Sequence, residues 1–555
     1  MKYYLLLFTF AFTSNIALGQ LAVKGTPESF QNDFLSGYFQ EISLPIPDLS
    51  NLKDIDFNDK LSMPHPFSRL ISVKLNPENS GTWEWTDQGK PVWRLKVRCE
   101  GALALSLYFS DFYLPEGAEL YIYNEDHKQL KGAFTSLNNP LSRLFATDLV
   151  IGDALIMELN LSGEPDELLA MEISDIGYAF RDVPNYLNSK GFGSSDFCEI
   201  NVGCSPEGDN WQDERRGVVR IKVRVGGQAY WCTGSIINNT SLDLKPYVLT
   251  ADHCAFKYGN YATPENLNQW IFYLNYESPT CTNPDQEPPY FSMVGATKIA
   301  YGGNQGQTGS DFYLVLLNEN IPDQAGVYFN GWNAQDAPSS NGVTIHHPEG
   351  DIKKISTYTS QPQTFDFLSN GIFSHWEVFW SQTQNNWGVT EPGSSGSPLF
   401  DNQGRIIGTL SAGYAACEPS GFFGPDKPDY YGKFSYHWVS NGTDDTLQLK
   451  PWLDPNNTGM TAIGGTALGT NDKEPQGIVE VFPNPAEKNI NFIINNSEPI
   501  ELNLYLLDIF GRILNFQKIN SGQSFNFDIS DAKPGMYLLV AEWSEGRVVK
   551  RIIKK

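Results

Sequence analysis

A glycine- and serine-rich turn could present a nucleophile. It runs Glu391-Pro392-Gly393-Ser394-Ser395-Gly396-Ser397-Pro398 and is followed by the apolar pair Leu399-Phe400. Glycines let the backbone bend tightly, which exposes a hydroxyl and points consecutive N–H groups at one spot. Ser395 is therefore a candidate nucleophile, with the amides of Gly393 and Ser395 as candidate oxyanion donors. Taken alone, the pattern fits an ordinary turn better, because Gly/Ser loops are common.

A histidine and an aspartate upstream change this balance. His253 follows the β-branched and aromatic run Tyr247–Thr250, and Asp311 opens the strongly apolar run 312–317. A histidine at a strand end can be held rigidly as a general base, and a carboxylate can fix its tautomer and stabilise the imidazolium. A lone histidine would more often be structural. The order His253, Asp311, Ser395 instead predicts a nucleophilic triad.

These motifs resemble the trypsin-like serine endopeptidases, and specifically the bacterial lysyl endopeptidases. The resemblance spans residues 191–456, nearly half of the chain. It implies two six-stranded antiparallel β-barrels with the site in the cleft between them, and cleavage of peptide bonds after Lys. Besides the triad motifs, the matching segments are Cys204-x-Pro206-Glu207-Gly208-Asp209, Cys232-Thr233-Gly234-Ser235, Ile345-His346-His347-Pro348, Gly388-Val389-Thr390-Glu391-Pro392 and Trp452-Leu453-Asp454-Pro455.

The specificity pocket departs from that of trypsin. Trypsin has an Asp six residues before its nucleophile, where this chain has Val389. The lysyl endopeptidases take their pocket acid from a later strand, and Asp429 matches that position. From the residues alone, Asp429 beside Pro428 would be a solvated turn carboxylate; the resemblance implies that it binds the substrate Lys. Arg or mixed basic specificity is the alternative within the enzyme class, and an inactive protease-like binding or adhesion protein is the alternative outside it.

Activation must also differ from that of trypsin. Ser394 replaces the Asp that pairs with trypsin's new N-terminus, and the resemblance implies a disulfide-tethered N-terminal extension instead. Spacing does not resolve how the six cysteines after residue 190 pair; the resemblance implies Cys198–Cys417, Cys204–Cys281 and Cys232–Cys254. Cys99 is left without a partner.

Four side chains near the expected site have no catalytic role in this interpretation. His346 and His347 are expected to be structural, because their segment carries no triad member. Ser411 and Leu368 stand where the family carries a His and a Trp near the cleft, which questions the family's unusually high activity and its alkaline pH behaviour here, though not the Lys preference.

Composition sets limits on the rest of the chain. Its 555 residues carry a formal net charge of −25, which excludes a nucleic-acid binder that works by neutralising phosphates. With 41% hydrophobic residues it is too apolar for disorder, and its 49 Gly and 34 Pro favour β structure with many turns. The Cys and His spacings fit no tetrahedral zinc pattern, so no metal or organic cofactor is expected. A monomer is expected.

The chain is expected to be an exported, all-β preproprotein. Residues 1–19 have the basic, apolar and small-residue regions of a signal peptide cleaved after Gly19, and no later run is long enough to span a membrane. Residues 20–190 alternate apolar and polar positions, as at 92–97 and 119–123, and form a β-rich pro-region. Lys190 precedes the protease region 191–456 and is the expected maturation site. Residues 457–477, rich in Gly, Thr, Asn and Asp, are expected to be a linker.

The last block, residues 478–555, resembles the C-terminal sorting domain of the type IX secretion pathway found in Bacteroidetes. The matching pieces are Val481-Phe482-Pro483-Asn484-Pro485-Ala486, Leu507-Asp508-x-x-Gly511-Arg512, Pro534-Gly535-Met536-Tyr537 and a Lys/Arg-rich terminal strand. The resemblance implies a small β-sandwich that the type IX machinery recognises, and a secreted product at the cell surface or beyond, exported through the periplasm. An ordinary immunoglobulin-like binding module is the alternative.

Overall fold

The structure is a computed structural model. Contacts divide the chain into two compact units, Met1–Thr466 and Ala467–Lys555. The described residues are 25–32, 35, 37–50, 64–163, 168–183, 194–302, 309–468, 479–482, 486, 488–494, 501–508, 513–520, 524–530, 532–533, 535–543 and 546–555. The predicted processing sites at Gly19 and Lys190 lie outside them.

The N-terminal region, residues 20–190, is built from β-strands, as its alternating pattern predicts. One sheet has the order β1-β4-β10-β6-β7, with β3 beside β4. The other strands belong to a larger sheet that continues into the rest of the chain. The strands are β1 Glu41–Ser43, β2 Pro66–Leu75, β3 Thr82–Trp85, β4 Pro91–Arg98, β5 Ala104–Tyr113, β6 Glu119–Tyr123, β7 Leu130–Phe134, β8 Phe145–Ala146, β9 Val150–Ile151, β10 Ala154–Asn160 and β11 Ala170–Ala179.

The central region, residues 191–456, is also mostly β, and its few helices are short. Its strands are β12 Val218–Val225, β13 Gln228–Ile236, β14 Tyr247–Thr250, β15 Phe256–Lys257, β16 Asn260–Tyr261, β17 Ile271–Leu274, β18 Phe291–Val294, β19 Ala296–Tyr301, β20 Tyr313–Leu317, β21 Tyr328–Phe329, β22 Gly331–Asn333, β23 Gly342–His346, β24 Lys354–Tyr358, β25 Gln363–Phe365, β26 His375–Phe379, β27 Pro398–Asp401, β28 Arg405–Gly413 and β29 Pro428–Lys433. The α-helices are α1 Asp252–Ala255, α2 Pro264–Leu267, α3 Phe434–Val439 and α4 Lys450–Leu453.

Two antiparallel strand systems form the central region. In the first, β12, β13, β14 and β17 to β20 pair with one another, and in the second the order is β24-β23-β27-β28-β29-β26-β25. These two systems correspond to the two barrels that the family resemblance implies, and the described parts of the protein are mostly β. His253 and Asp311 come from the first system, while Ser395 and Asp429 come from the second.

The first strand system is continuous with the N-terminal region. Strand β2 pairs antiparallel with β13, with Gln228 opposite Arg69 and Tyr230 opposite Pro66. One hydrophobic core lies across the junction and takes about half of its buried residues from each side: Phe67, Leu70, Ala104, Tyr108, Ala146, Leu149 and Ala179 from the N-terminal region, and Ala229, Trp231, Ile271, Tyr273, Tyr276, Tyr290 and Ile352 from the central region. Because they share a core, the two regions are one compact unit, which their sequence patterns did not indicate.

The chain stays paired to the central region beyond the predicted start of the linker. Strand β30, Ala462–Ile463, pairs with β22, so that Trp332 lies opposite Ile463. The carboxylate of Asp454 also accepts hydrogen bonds from the amides of Thr458 and Gly459. The predicted linker start at residue 457 is therefore wrong, because polar composition alone does not reveal these pairings. The next strand is β31, Thr466–Ala467.

The second unit is a small two-sheet β structure. Its sheets have the orders β32-β33-β36 and β35-β34-β37-β38. In the part of the chain that the structure describes, no helix has the length and apolar character needed to cross a membrane. The strands are β32 Val479–Phe482, β33 Asn489–Ile494, β34 Glu501–Asp508, β35 Ile513–Asn520, β36 Ser524–Asp528, β37 Gly535–Trp543 and β38 Gly546–Lys554.

Candidate active site

The Ser395 turn is held from both strand systems. Its C-terminal end runs into β27, and the amide of Gly396 donates to the carbonyl of Leu410 on β28 (2.9 Å). Across the cleft, Thr233 on β13 donates its amide to the Ser395 carbonyl (2.8 Å) and its hydroxyl to the Gly393 carbonyl (2.9 Å). The Ser395 side chain is 8% exposed and faces a cavity. These contacts fix the turn while leaving the hydroxyl accessible.

The amides of Gly393 and Ser395 are available as donors. Gly393 has φ = +95°, a conformation that suits glycine. The Pro392 carbonyl accepts a hydrogen bond from the Glu349 amide (2.6 Å), and in a trans peptide the following N–H must point the opposite way. Neither the Gly393 nor the Ser395 amide has a hydrogen-bond acceptor among the described residues. The turn therefore keeps both amides available as hydrogen-bond donors.

His253 and Asp311 are in direct contact. His253 lies on α1, directly after β14, and Asp311 directly precedes β20; the two strands pair. The His253 amide donates to Asp311 Oδ1 (3.0 Å), and His253 Nδ1 lies 2.7 Å from Asp311 Oδ2. Because an ionised carboxylate only accepts, Nδ1 carries the proton and Nε2 keeps its lone pair.

The hydrogen bond from Ser395 to His253 is not formed. His253 is 2% exposed, and its Nε2 has no hydrogen-bond partner in the described ranges. The structure therefore brings together the histidine and the aspartate, and places the serine on the facing strand system.

Asp429 lies beneath the cavity rather than in a solvated turn. It belongs to β29, between β26 and β28, and is fully buried. Its Oδ2 accepts from Trp380 Nε1 (2.6 Å) and Thr390 Oγ1 (2.8 Å), and its Oδ1 accepts from the Ala415 amide (3.1 Å). Burial raises the pKa of Asp429 to about 6, although these hydrogen bonds oppose the shift. Trp380 and Thr390 are partners that the sequence analysis missed.

A glycine lets this carboxylate approach the cavity wall. A Cβ built on Gly413 would lie 1.8 Å from Asp429 Oδ1, so any side chain there would displace the acid. Gly413, Thr390 and Ala415 all line the cavity that Ser395 faces, whose volume is about 320 Å³. Three residues that lie against Asp429 thus form part of the cavity wall.

The N-terminal region reaches the same cavity. His65, Arg181 and Asp182 are among the lining residues. Trp231 fixes this edge: its Nε1 donates to the Asp182 carbonyl (3.1 Å), and its ring stacks on Phe67 at 4.3 Å. Residues 20–190 therefore contribute to the wall of the cavity as well as to the shared core.

Comparison with known proteins finds matches for two parts of the chain. Residues 192–432 match the family described as "Lysyl endopeptidase, C-terminal domain". Residues 192–432, the lysyl endopeptidase domain, are therefore similar to a family of serine proteases. Residues 480–555 match the secretion system C-terminal sorting domain, which indicates export and secretion.

Individual proteins are similar to parts of this chain. A lysyl endopeptidase of Pseudomonas aeruginosa is 26% identical over 375 residues, which cover 64% of this chain and 75% of that protein. Among solved structures, the protease Anisep of Arthrobacter nicotinovorans is 19% identical, with a TM-score of 0.29 over 39% of this chain and 90% of that one. The thermostable serine protease AL20 of an extremophilic microorganism is 13% identical, with a TM-score of 0.28 over 40% and 91%.

Three disulfide bonds stabilise the lysyl endopeptidase domain. They join Cys198 to Cys417, Cys204 to Cys281 and Cys232 to Cys254, the pairs that the family resemblance implies. The third bond ties α1, which carries His253, to β13. Cys99 is buried in the N-terminal region with a free thiol, whose pKa burial raises to about 12.

A histidine does lie beside Ser411 in the lysyl endopeptidase domain, but it comes from another strand. The Ser411 hydroxyl lies 3.2 Å from Nε2 of His375 on β26, and the His375 ring stacks on Phe367 at 4.5 Å. Burial lowers the pKa of His375 to about 4. Comparing single positions could not reveal this neighbour, because strand pairing supplies it.

One cluster in the lysyl endopeptidase domain has the spacing of metal ligands. Among the residues that the structure describes, Asp196, Glu391 and Cys417 place one ligand atom each within 4.8 Å of one another. The sulfur of Cys417 is bonded to Cys198 and cannot supply a thiolate. Two acidic side chains remain, which make no metal site on their own.

Proposed function

We propose that this protein is a secreted serine endopeptidase that cleaves peptide bonds after Lys, made as a precursor. The observation that carries the proposal is the placement of Asp429, a buried carboxylate beneath the cavity that Ser395 faces. Burying a carboxylate is costly unless a cation or several hydrogen-bond donors face it. Three donors already face Asp429, from Trp380, Thr390 and the Ala415 amide, but none of them carries a charge, and an entering Lys side chain supplies the cation. Assays on peptides with Lys, Arg or Glu before the scissile bond test this proposal.

The proposed chemistry uses the triad in its usual roles. Ser395 Oγ attacks the scissile carbonyl while His253 Nε2 takes the hydroxyl proton, and Asp311 stabilises the imidazolium that forms. His253 then donates this proton to the leaving amine, and water hydrolyses the acyl-enzyme by the same route. The Gly393 and Ser395 amides stabilise the oxyanion in both halves. The free lone pair on His253 Nε2 supports this role. A hydrogen bond between a nucleophile and its base, here Ser395 and His253, often tightens only when substrate binds.

The charge of the cavity supports a basic substrate. Among its described lining residues, the ionisable side chains from the central region are all acidic: Asp196, Glu349 and Glu391. The basic lining residues, His65 and Arg181, come from the N-terminal region. Loss of that region would therefore remove the basic groups from the cavity, so that none of its described lining residues would repel a cation. We favour Lys over Arg because Asp429 lies behind the side wall of the cavity. A single ammonium on a thin stem can approach it there, whereas a guanidinium needs room for its planar fork.

Binding of a Lys-like amine should weaken as the pH falls through about 6. The ionised form of Asp429 binds the amine, and burial raises the pKa of this carboxyl to about 6, so a falling pH removes its charge. We expect the dissociation constant of n-butylamine to rise roughly tenfold per pH unit below that point. Calorimetric titration of the processed protein between pH 4.5 and 7.5 measures it.

The effect can be assigned to Asp429 by excluding a neighbouring acid and by testing one variant. Burial raises the pKa of Glu391 to about 8, so this lining carboxyl stays largely protonated throughout the range. Asp429→Asn should bind the amine weakly and show no transition near pH 6. A transition that persisted in Asp429→Asn would assign the effect to another group and contradict the pocket proposal.

Maturation is proposed to occur after Lys190 by the enzyme itself. Residues on both sides of this position, Asp182 and Ser194, line the same cavity as Ser395. Lys190 also fits the proposed specificity. The cut would separate residues 20–190, which are proposed to assist folding or to cover the cleft, while the Cys198–Cys417 bond keeps the new N-terminus tethered. Ser394 has no carboxylate to pair with a new amino group, so activation would not need the new N-terminus to insert into the domain, as it does in trypsin.

Sequencing the N-terminus of the secreted protein tests this step. It should read Gly191-Phe192-Gly193, and Ser395→Ala expressed alone should accumulate as an uncut precursor. A different N-terminus, or normal processing of Ser395→Ala in a host lacking other proteases, would exclude self-cleavage at Lys190.

The destination of the product is part of the proposal. Residues 478–555 would be recognised by the type IX machinery after signal-peptide cleavage at Gly19 and passage through the periplasm. The active product would then lie outside the cell or on its surface, as a monomer.

A further inference from the structure

A chain of hydrogen bonds runs beneath the Ser395 turn and is centred on His346. This histidine ends β23 and is fully buried. Its Nδ1 lies 2.8 Å from Ser394 Oγ, and its Nε2 lies 3.0 Å from Ser356 Oγ. Ser356, on the paired strand β24, donates its hydroxyl to the carbonyl of Val389 (2.9 Å). Ser394 Oγ accepts from the Glu391 amide (3.2 Å).

The direction of every bond in this chain can be assigned. The single hydroxyl proton of Ser356 is used on Val389, so Ser356 must accept from an N–H at His346 Nε2. Burial lowers the pKa of His346 to about 3, so the ring is neutral at working pH and Nδ1 must be an acceptor. Ser394 then donates its hydroxyl to Nδ1. Both ring nitrogens of His346 and the hydroxyl protons of Ser356 and Ser394 are used in these hydrogen bonds, which favours one rigid arrangement.

The two ends of the chain lie on one segment. Val389 stands at its start and Ser394 at its end, and the amide of Ser394 also donates to the Glu391 carbonyl (3.0 Å). The segment contains Thr390, which contacts Asp429, and Gly393, whose amide is a proposed oxyanion donor. A displacement of about 1 Å in such donors can lower the rate by about 10²-fold.

We propose that His346 is a positioning residue, which braces the Val389–Ser394 segment and so holds the oxyanion donors in reactive geometry. The inference rests on the proposed function and assigns a role to a histidine expected from the sequence to be merely structural. It also explains how Ser394 can replace a charged residue: its hydroxyl is fixed by a neutral imidazole instead of an amino terminus.

Glu199 belongs to the same buried site. Its Oε2 lies 3.7 Å from His346 Nε2, and neither of its oxygens has a hydrogen-bond partner in the described part of the chain. It follows Cys198 directly, so the disulfide-tethered segment places it behind the histidine. Burial raises the pKa of Glu199 well above its usual range.

Replacing His346 should affect transition-state binding more than pocket binding. We expect His346→Leu to lower kcat on a Lys peptide by about 10²-fold, at the lower end of the loss of one oxyanion donor, with KM nearly unchanged. Affinity for a peptidyl-Lys aldehyde, whose adduct with Ser395 places an oxyanion against these amides, should fall in parallel. Affinity for n-butylamine, which reports only the pocket, should stay within about threefold.

Three further variants separate positioning from folding. His346→Asn keeps an acceptor near Ser394 and should restore most of kcat. Ser394→Ala is a smaller change with the same expected pattern, and its effect should not add to that of His346→Leu. Thr344→Val is the matched control: this residue is buried on the same strand, and its hydroxyl contacts the Pro398 carbonyl (2.9 Å) and Ser397 Oγ (3.2 Å), both outside the braced segment. It should lower the melting temperature while leaving kcat near that of the wild type.

The outcomes are distinct. Equal weakening of aldehyde and amine in His346→Leu and Ser394→Ala, a kcat loss that matches Thr344→Val, or unaltered kcat would overturn the positioning role. If the wild type itself failed to cleave after Lys, the proposed function would be wrong instead.

Discussion

Replacing Ser395 with alanine should lower kcat on a Lys peptide by about 10⁶-fold. No other described group can replace its hydroxyl as the nucleophile. No hydroxyl lies against His253 Nε2, and the carboxylate of Asp429 is fully buried. The residual rate would come from the amides of Gly393 and Ser395, which the substitution leaves in place. Single-turnover assays with purified protein measure the loss.

Labelling gives a second measurement on the same residue. An organophosphate should modify the wild type once, on Ser395, and should not modify Ser395→Ala. Ser397→Ala is the matched control, because it changes a buried hydroxyl in the same turn, bonded to Thr344, and should keep near-normal activity. Near-normal turnover in Ser395→Ala would remove the nucleophile assignment and favour the alternative of a protein without this chemistry.

Asp429→Asn should lower kcat/KM for Lys peptides by at least about 100-fold. The variant keeps the shape of the side chain but leaves the substrate ammonium without a buried counter-charge. Peptides with a neutral residue before the scissile bond should be cleaved no more slowly than by the wild type. Steady-state assays on a matched series with Lys, Arg, Glu and norleucine give the comparison.

The control for this experiment is a nearby acid outside the cavity. Asp426→Asn changes an exposed carboxylate that pairs with Lys427, on the same approach to β29, and should leave the Lys preference intact. Normal cleavage after Lys by Asp429→Asn, or a wild-type preference for Glu, would refute the pocket assignment. A preference for Arg would keep the acid but reject the steric argument for Lys.

The strands that present the site could be predicted because their signals are local. The runs at 247–250 and 312–317 are strongly apolar, and in the structure they pair as β14 and β20, which brings His253 to Asp311. The glycines around Ser395 likewise indicate a tight turn without any long-range information. Side chains placed by one strand end or one turn are therefore within reach of sequence reasoning.

Contacts that depend on strand partners could not be predicted in this way. Pro428 beside Asp429 suggests a turn, but a proline is also tolerated as the first residue of a strand, which is its position in β29. The chain through His346 joins three separate segments, and nothing in the pattern of β23 selects Ser356 or Ser394 as partners. Strand β2 alternates as a half-buried strand does, which leaves open that its neighbour is β13.

The core shared across the β2–β13 junction has an evolutionary consequence. Half of its side chains belong to a segment that the proposed enzyme discards, yet each must fit the other half at close to crystal-like density. A change of volume at Trp231 or Tyr273 would need compensation at Phe67 or Tyr108, on the far side of the proposed processing site. Lineages that exchanged this segment by recombination near residue 190 would inherit mismatched halves, so the two halves should be inherited together as one unit.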